Sequence, residues 1–77
     1  MPTVIIEGYK FRFYSTDIRE PPHYHVLRDN KVAKIWLASF IVERNIGYRD
    51  AELNKIVRLT RENHDLLLEV WNDYFRR

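Results

Sequence analysis

The stretch His23-Tyr24-His25-Val26-Leu27-Arg28-Asp29-Asn30-Lys31-Val32-Ala33-Lys34-Ile35-Trp36-Leu37 decides the fold. Apolar and polar residues alternate on both sides of Asp29-Asn30, which is the period of a half-buried strand. Asp and Asn both tolerate left-handed backbone, so the pair reads as a two-residue turn. It joins antiparallel strands running from His23 to Arg28 and from Lys31 to Leu37. Counting outward from the turn pairs Arg28 with Lys31, His25 with Lys34 and His23 with Trp36. Directly opposed residues share a face. One face then carries Tyr24, Val26, Ala33, Ile35 and Leu37 and is a core face. The other carries His23, His25, Lys34 and Trp36, with Leu27 and Val32 at the turn end.

Upstream, Thr3 to Tyr14 reads as a first hairpin with Glu7-Gly8 as its turn, where Gly8 supplies the positive φ that tight turns need. Tyr9, Phe11 and Phe13 alternate with Lys10, Arg12 and Tyr14. With the former set inward, Lys10, Arg12 and Tyr14 join the polar face beside the histidines. Ser15 to Pro22 is a loop whose Pro21-Pro22 straightens the chain before His23. Downstream, Phe40-Ile41-Val42 reads as a further edge strand, Asn45 to Gly47 as a turn and Asp50 as a helix N-cap. Leu53, Ile56, Val57, Thr60, His64, Leu67, Trp71 and Tyr74 follow at steps of three and four, one helical stripe. Asn63 either caps a second helix or marks a kink. The expectation is one α+β domain over residues 1–77. It has a small antiparallel sheet of roughly three to five strands, built on two hairpins. That sheet packs against one long or kinked C-terminal helical segment.

The chain has 77 residues and no cysteine, which excludes disulfides and thiolate metal sites and fits a reducing, cytoplasmic location. The apolar run Val4-Ile5-Ile6 stops at Glu7, too short for a signal peptide or a membrane span. Net charge is +2, unevenly spread. Residues 1–49 hold eight Lys/Arg against five Asp/Glu, a balance of +3, and residues 50–77 hold five against six, a balance of −1. That balance permits an anionic partner for the sheet half.

Two histidines two apart on a strand stand about 6.5–7 Å apart with their rings on one side. Three function classes follow. In the first, the basic His/Lys/Trp face binds nucleic acid, with Lys10, Arg12, Tyr14, Lys34 and Trp36 as the binding set. RNA cleavage without metal is a further step in that class. His23 and His25 are its candidate catalytic pair, one imidazole accepting a proton while the other donates, with Lys34 and Arg12 stabilising phosphoryl charge. In the second, the chain is a non-enzymatic protein–protein interaction module with structural histidines. In the third, His23 and His25 bind a metal with Glu20 or Asp17 completing the site, against which stands the Lys34 cation. No cofactor is implied, and there is no glycine-rich phosphate loop. His64, among apolar residues of the stripe, reads as packed or interfacial. Arg58/Glu62 and Arg61/Asp65 read as self-paired, solvated helix faces. Leu66, Leu68 and Phe75 lie off the stripe. Their cover is expected from a two-fold dimer, from a different small protein, or from residues 38–49 of the same chain.

Several runs together resemble a known family. They are Met1-Pro2-Thr3-Val4, Gly8-Tyr9-x-Phe11, Phe13-Tyr14-Ser15 and Glu20-Pro21-Pro22-His23-x-His25-Val26, then Ala33-Lys34-x-Trp36-Leu37 and Trp71-Asn72-x-Tyr74-Phe75. This pattern is similar to the prokaryotic domain-of-unknown-function 4160 family and covers essentially the whole chain. The resemblance implies a small bacterial protein, often encoded next to another small protein in a toxin–antitoxin-like arrangement. That neighbour is the implied cognate partner. It assigns neither histidine a role. One departure is Asp29-Asn30, where the family tends to have glycine.

Overall fold

Five strands and two helices form in the computed structural model, which describes residues 2–76; the first and last positions of the expected 1–77 domain lie outside them. The strands are β1 (Thr3–Ile6), β2 (Tyr9–Arg12), β3 (His23–Arg28), β4 (Lys31–Trp36) and β5 (Val42–Ile46). They make one antiparallel sheet in the order β1-β2-β3-β4-β5, each strand beside its neighbour in sequence. Helices α1 (Asp50–Glu62) and α2 (His64–Phe75) follow, and a short 3-10 helix, Ser15–Arg19, lies between β2 and β3. None of the helices is long and apolar enough to cross a membrane among the described residues.

The central hairpin has the register counted from its turn: Arg28 opposes Lys31, His25 opposes Lys34 and His23 opposes Trp36. Asp29 takes the left-handed conformation at φ 56°. In the first hairpin Glu7 and Gly8 both have positive φ, 48° and 84°, the pattern that matches the twist of paired strands. Alternation then sorts the side chains. Tyr9, Phe11, Phe13, Tyr24, Val26, Ala33, Ile35 and Leu37 are buried together with Tyr48 of the bend before α1 and with Ile56, Leu59, Leu67 and Trp71 of the helices. The two layers are also tied by hydrogen bonds. The Tyr24 hydroxyl donates to the Leu67 carbonyl at 2.6 Å, and the Tyr48 hydroxyl to the Val26 carbonyl at 2.9 Å. Phe13 lies past the end of β2, yet its ring meets Tyr24 and Trp71 with centroids 5.2 and 4.7 Å away.

Four local expectations change. The edge strand is Val42–Ile46, two residues later than Phe40-Ile41-Val42. Phe40 sits at φ 60° inside a tight loop closed by the Phe40 N–H on the Trp36 carbonyl, so it cannot belong to a strand. Asn45 is a strand residue, not the start of a turn. Its side chain donates to the Tyr48 carbonyl and accepts from the Tyr48 N–H, closing the bend at Gly47. Asp50 is the first helical residue and Arg49 is the cap. Arg61 lies over the Phe40 ring at 4.6 Å, and no Arg61–Asp65 ion pair forms among the described residues, while Arg58 does meet Glu62 at 3.2 Å. At Asn63 the helical segment breaks into two helices, with Asn63 as the cap of both. Asn63 has a non-helical backbone, φ −113° and ψ 21°. Its N–H closes α1 on the Leu59 carbonyl and its carbonyl takes the first bond of α2 from the Leu67 N–H, so the ladder is interrupted there.

Candidate functional site

The face of the sheet away from the helices carries two adjacent rows. Arg12, His25, Lys34 and Arg44 stand opposite one another on β2 to β5. Beside them run Ile5, Lys10, Leu27, Val32 and Ile46, one from each strand. His23 and Trp36 form the next pair toward the other end of β3. Lys10, Arg12, His23, His25, Lys34 and Trp36 are thus brought to one face. The Tyr14 ring joins them by packing on His25, centroids 5.2 Å apart.

The face has two unlike halves, because the 3-10 helix Ser15–Arg19 folds over the histidine end. Its Asp17 is fixed by two bonds to Tyr14: the Tyr14 N–H donates to Asp17 Oδ2 at 2.8 Å, and the Asp17 N–H donates to the Tyr14 carbonyl at 2.9 Å. Asp17 Oδ2 then lies 3.4 Å from His23 Nε2 and 3.5 Å from His25 Nε2. His23 is fully buried, wedged among Trp36, Trp71 and His25. Its Nδ1 is 2.9 Å from the Pro21 carbonyl. Of the two imidazoles, only His25 reaches solvent. Burial holds the His25 imidazole below its usual pKa, against the opposing pull of Asp17.

Lys34 and Trp36 are engaged within the chain. Lys34 Nζ donates to Glu20 at 2.8 Å and lies 3.4 Å from Glu43, and it sits over the Trp36 ring at 4.7 Å. The hydrogen bond with Glu20 raises the Lys34 pKa and lowers that of Glu20. Trp36 Nε1 donates to Glu43. Sequence reasoning passed over Glu43 and Arg44. The bulge between Lys34 and Ile35, which turns both toward this face, leaves no mark in the pattern of alternation.

The other half of the face, toward the hairpin turns, is open. Lys10, Arg12 and Arg44 make no ion pair with a carboxylate among the described residues, and Arg12 Nε only meets the Thr3 hydroxyl at 3.1 Å. A shallow depression lined by Gly8, Lys10, Arg12, Leu27, Arg28 and Asp29 occupies this end.

Among known proteins, one family model matches residues 8–72, and its description is a domain of unknown function, DUF4160. No curated protein and no solved structure matches the chain.

Proposed function

We propose that this chain, which belongs to the DUF4160 family, binds nucleic acid through the open half of the sheet's polar face. The supporting observation is the set of three cations there, Lys10, Arg12 and Arg44, that no carboxylate neutralises among the described residues. Cations without internal partners are available to phosphates, and phosphate contacts supply most of the affinity of such binding. Lys34 contributes less, since Glu20 and Glu43 already hold it. RNA cleavage in this reading belongs to His25, the imidazole with solvent access, beside Arg12 and Lys34 in its row. The setting is a small bacterial toxin–antitoxin-like pair in the cytoplasm, with the neighbouring gene's product as cognate partner.

Fluorescence anisotropy with a labelled single-stranded oligonucleotide tests this. Affinity is expected to fall steeply with salt, by about 0.7 log units per log unit of salt for each phosphate contact. Lys10→Ala, Arg12→Ala and Arg44→Ala should each weaken binding of every sequence alike and reduce the salt slope by roughly one contact. Absence of binding to RNA and DNA alike at low salt would refute the reading.

A second reading takes the same half-face as a docking surface for an acidic protein partner. It is favoured by Ile5, 67% exposed, and Ile46, 47% exposed, which flank half-buried Leu27 and Val32 between the cations. Co-purification with the neighbouring gene's product that Ile46→Glu abolishes, while oligonucleotide affinity stays unchanged, would select it.

A further inference from the structure

The buried histidine poses a problem of atoms. Nδ1 of His23 lies 2.9 Å from the Pro21 carbonyl, which can only accept, so Nδ1 carries the proton. In the neutral ring Nε2 is then a bare lone pair. It is fully buried, has no hydrogen-bond partner, and faces Asp17 Oδ2 at 3.4 Å and Glu20 Oε1 at 3.6 Å. A lone pair set against carboxylate oxygens in a dry place is repulsive, and only a positive species between them removes the conflict. A proton on Nε2 is one such species. The surroundings fit a larger one.

We infer that Asp17 Oδ2, His23 Nε2 and His25 Nε2 form a binding site for a divalent transition-metal ion of the zinc class. The ligand atoms of these residues all lie within 4.8 Å of one another. Ligands on a tetrahedral ion with bonds of about 2.0–2.1 Å are about 3.3 Å apart. The carboxylate oxygen is 3.4 Å from one ring nitrogen and 3.5 Å from the other, already close to that spacing, and the two rings lie within 4.8 Å of each other at their ligand atoms. Two imidazoles with one carboxylate suit zinc, cobalt or nickel and do not suit calcium or magnesium.

The supports of the ligands match what such sites require. The Pro21 carbonyl fixes the His23 tautomer and ring orientation, and the Tyr14 N–H fixes the Asp17 carboxylate. Of the two cations beside His25 in its row, Lys34 has its charge offset by Glu20 and Glu43, and Arg12 is turned to the Thr3 hydroxyl. Three protein ligands leave a fourth position for water or an anion, with Glu20 Oε1, 3.6 Å from His23 Nε2, the next carboxylate oxygen. An ion with an open position can polarise a bound water or an anionic oxygen. The site does not depend on nucleic-acid binding, and an ion on His25 Nε2 excludes that nitrogen as a metal-free proton carrier, so the two assignments of His25 are alternatives that are tested separately.

The full chain, stripped with chelator and dialysed, is titrated with Co2+ and Zn2+ alone. One tetrahedral Co2+ per chain by visible spectroscopy, displaced by Zn2+, and a raised thermal midpoint with Zn2+ are the expected results. Asp17→Asn and His25→Ala should each weaken binding by roughly 10- to 100-fold or more, while His64→Ala leaves it unchanged. These variants spare His23, whose replacement risks the fold. Circular dichroism confirms that each variant is folded. Failure of the folded chain to bind Zn2+ stoichiometrically would overturn the inference. So would binding that survives both Asp17→Asn and His25→Ala, which would place the ion elsewhere on the chain.

Discussion

Two tyrosine hydroxyls reach across the core to main-chain carbonyls, and they make the residue scale testable. Tyr24 bonds the Leu67 carbonyl and Tyr48 the Val26 carbonyl. Replacing either by phenylalanine keeps the ring and removes one buried hydrogen bond, so Tyr24→Phe and Tyr48→Phe should each cost about 1 kcal/mol in urea denaturation. Both phenols are also pushed up by burial, that of Tyr48 to about 12 from an ordinary 10. A folded-state pKa above the unfolded one means the unfolded chain loses its proton first. The stabilising contribution is therefore whole below pH 10 and is lost as pH rises toward 12. Stability measured across that range should fall, and it should fall less steeply in Tyr48→Phe. An unchanged slope in the variant would contradict this account of alkaline loss. His23 shows the limit of reading residues singly. Its place opposite Trp36 follows from counting, but its complete burial also needs Trp71 of α2 and Asp17 of Ser15–Arg19, a segment with no periodic signal.

Among the elements, the central hairpin was legible because turn chemistry and alternation agreed on one register, and a one-residue slip would have put Tyr24 and Ile35 in water. The edge strand was misplaced for a specific reason. Phe40 adopts a left-handed backbone that bulky residues avoid, and only the packing of Arg61 and His64 on its ring accounts for its presence there. Nothing in an apolar Phe-Ile-Val run announces that. Two glycine turns separate conformational strain from crowding. Gly8, at φ 84°, has open space where a Cβ would go, whereas at Gly47, φ 97°, a Cβ would meet Lys31 Cγ at 2.9 Å. Gly8→Ala should cost about 1–2 kcal/mol from strain alone, and Gly47→Ala more, because the β4–β5 pairing must also shift. Thermal melts of the two variants compare these directly. Equal losses would mean that Lys31 yields freely.

For the whole molecule, the apolar surplus on the second helix shrinks once the layers are assembled. Leu68, Val70 and Phe75 pack against the core, which leaves Leu66, 45% exposed, and Tyr74, a stripe residue that is nonetheless 36% exposed. One leucine and part of one tyrosine are far short of the about 800 Å2 per partner that a stable two-fold interface buries. Light scattering at micromolar concentration should give the mass of one chain, unchanged by Leu66→Glu, and a doubled mass that Leu66→Glu halves would restore a dimer through α2. The strict neighbour-to-neighbour order of the sheet has a consequence in time. No strand waits for a distant segment to find its partner, so the sheet has low contact order and can zip from the central hairpin outward. The remote step is the closing of the helical layer, in which Tyr24 meets a carbonyl 43 residues away. Stopped-flow refolding should therefore show Val26→Ala slowing the folding arm and Leu67→Ala chiefly speeding the unfolding arm. The reverse pattern would mean that the helices, not the hairpin, organise the transition state.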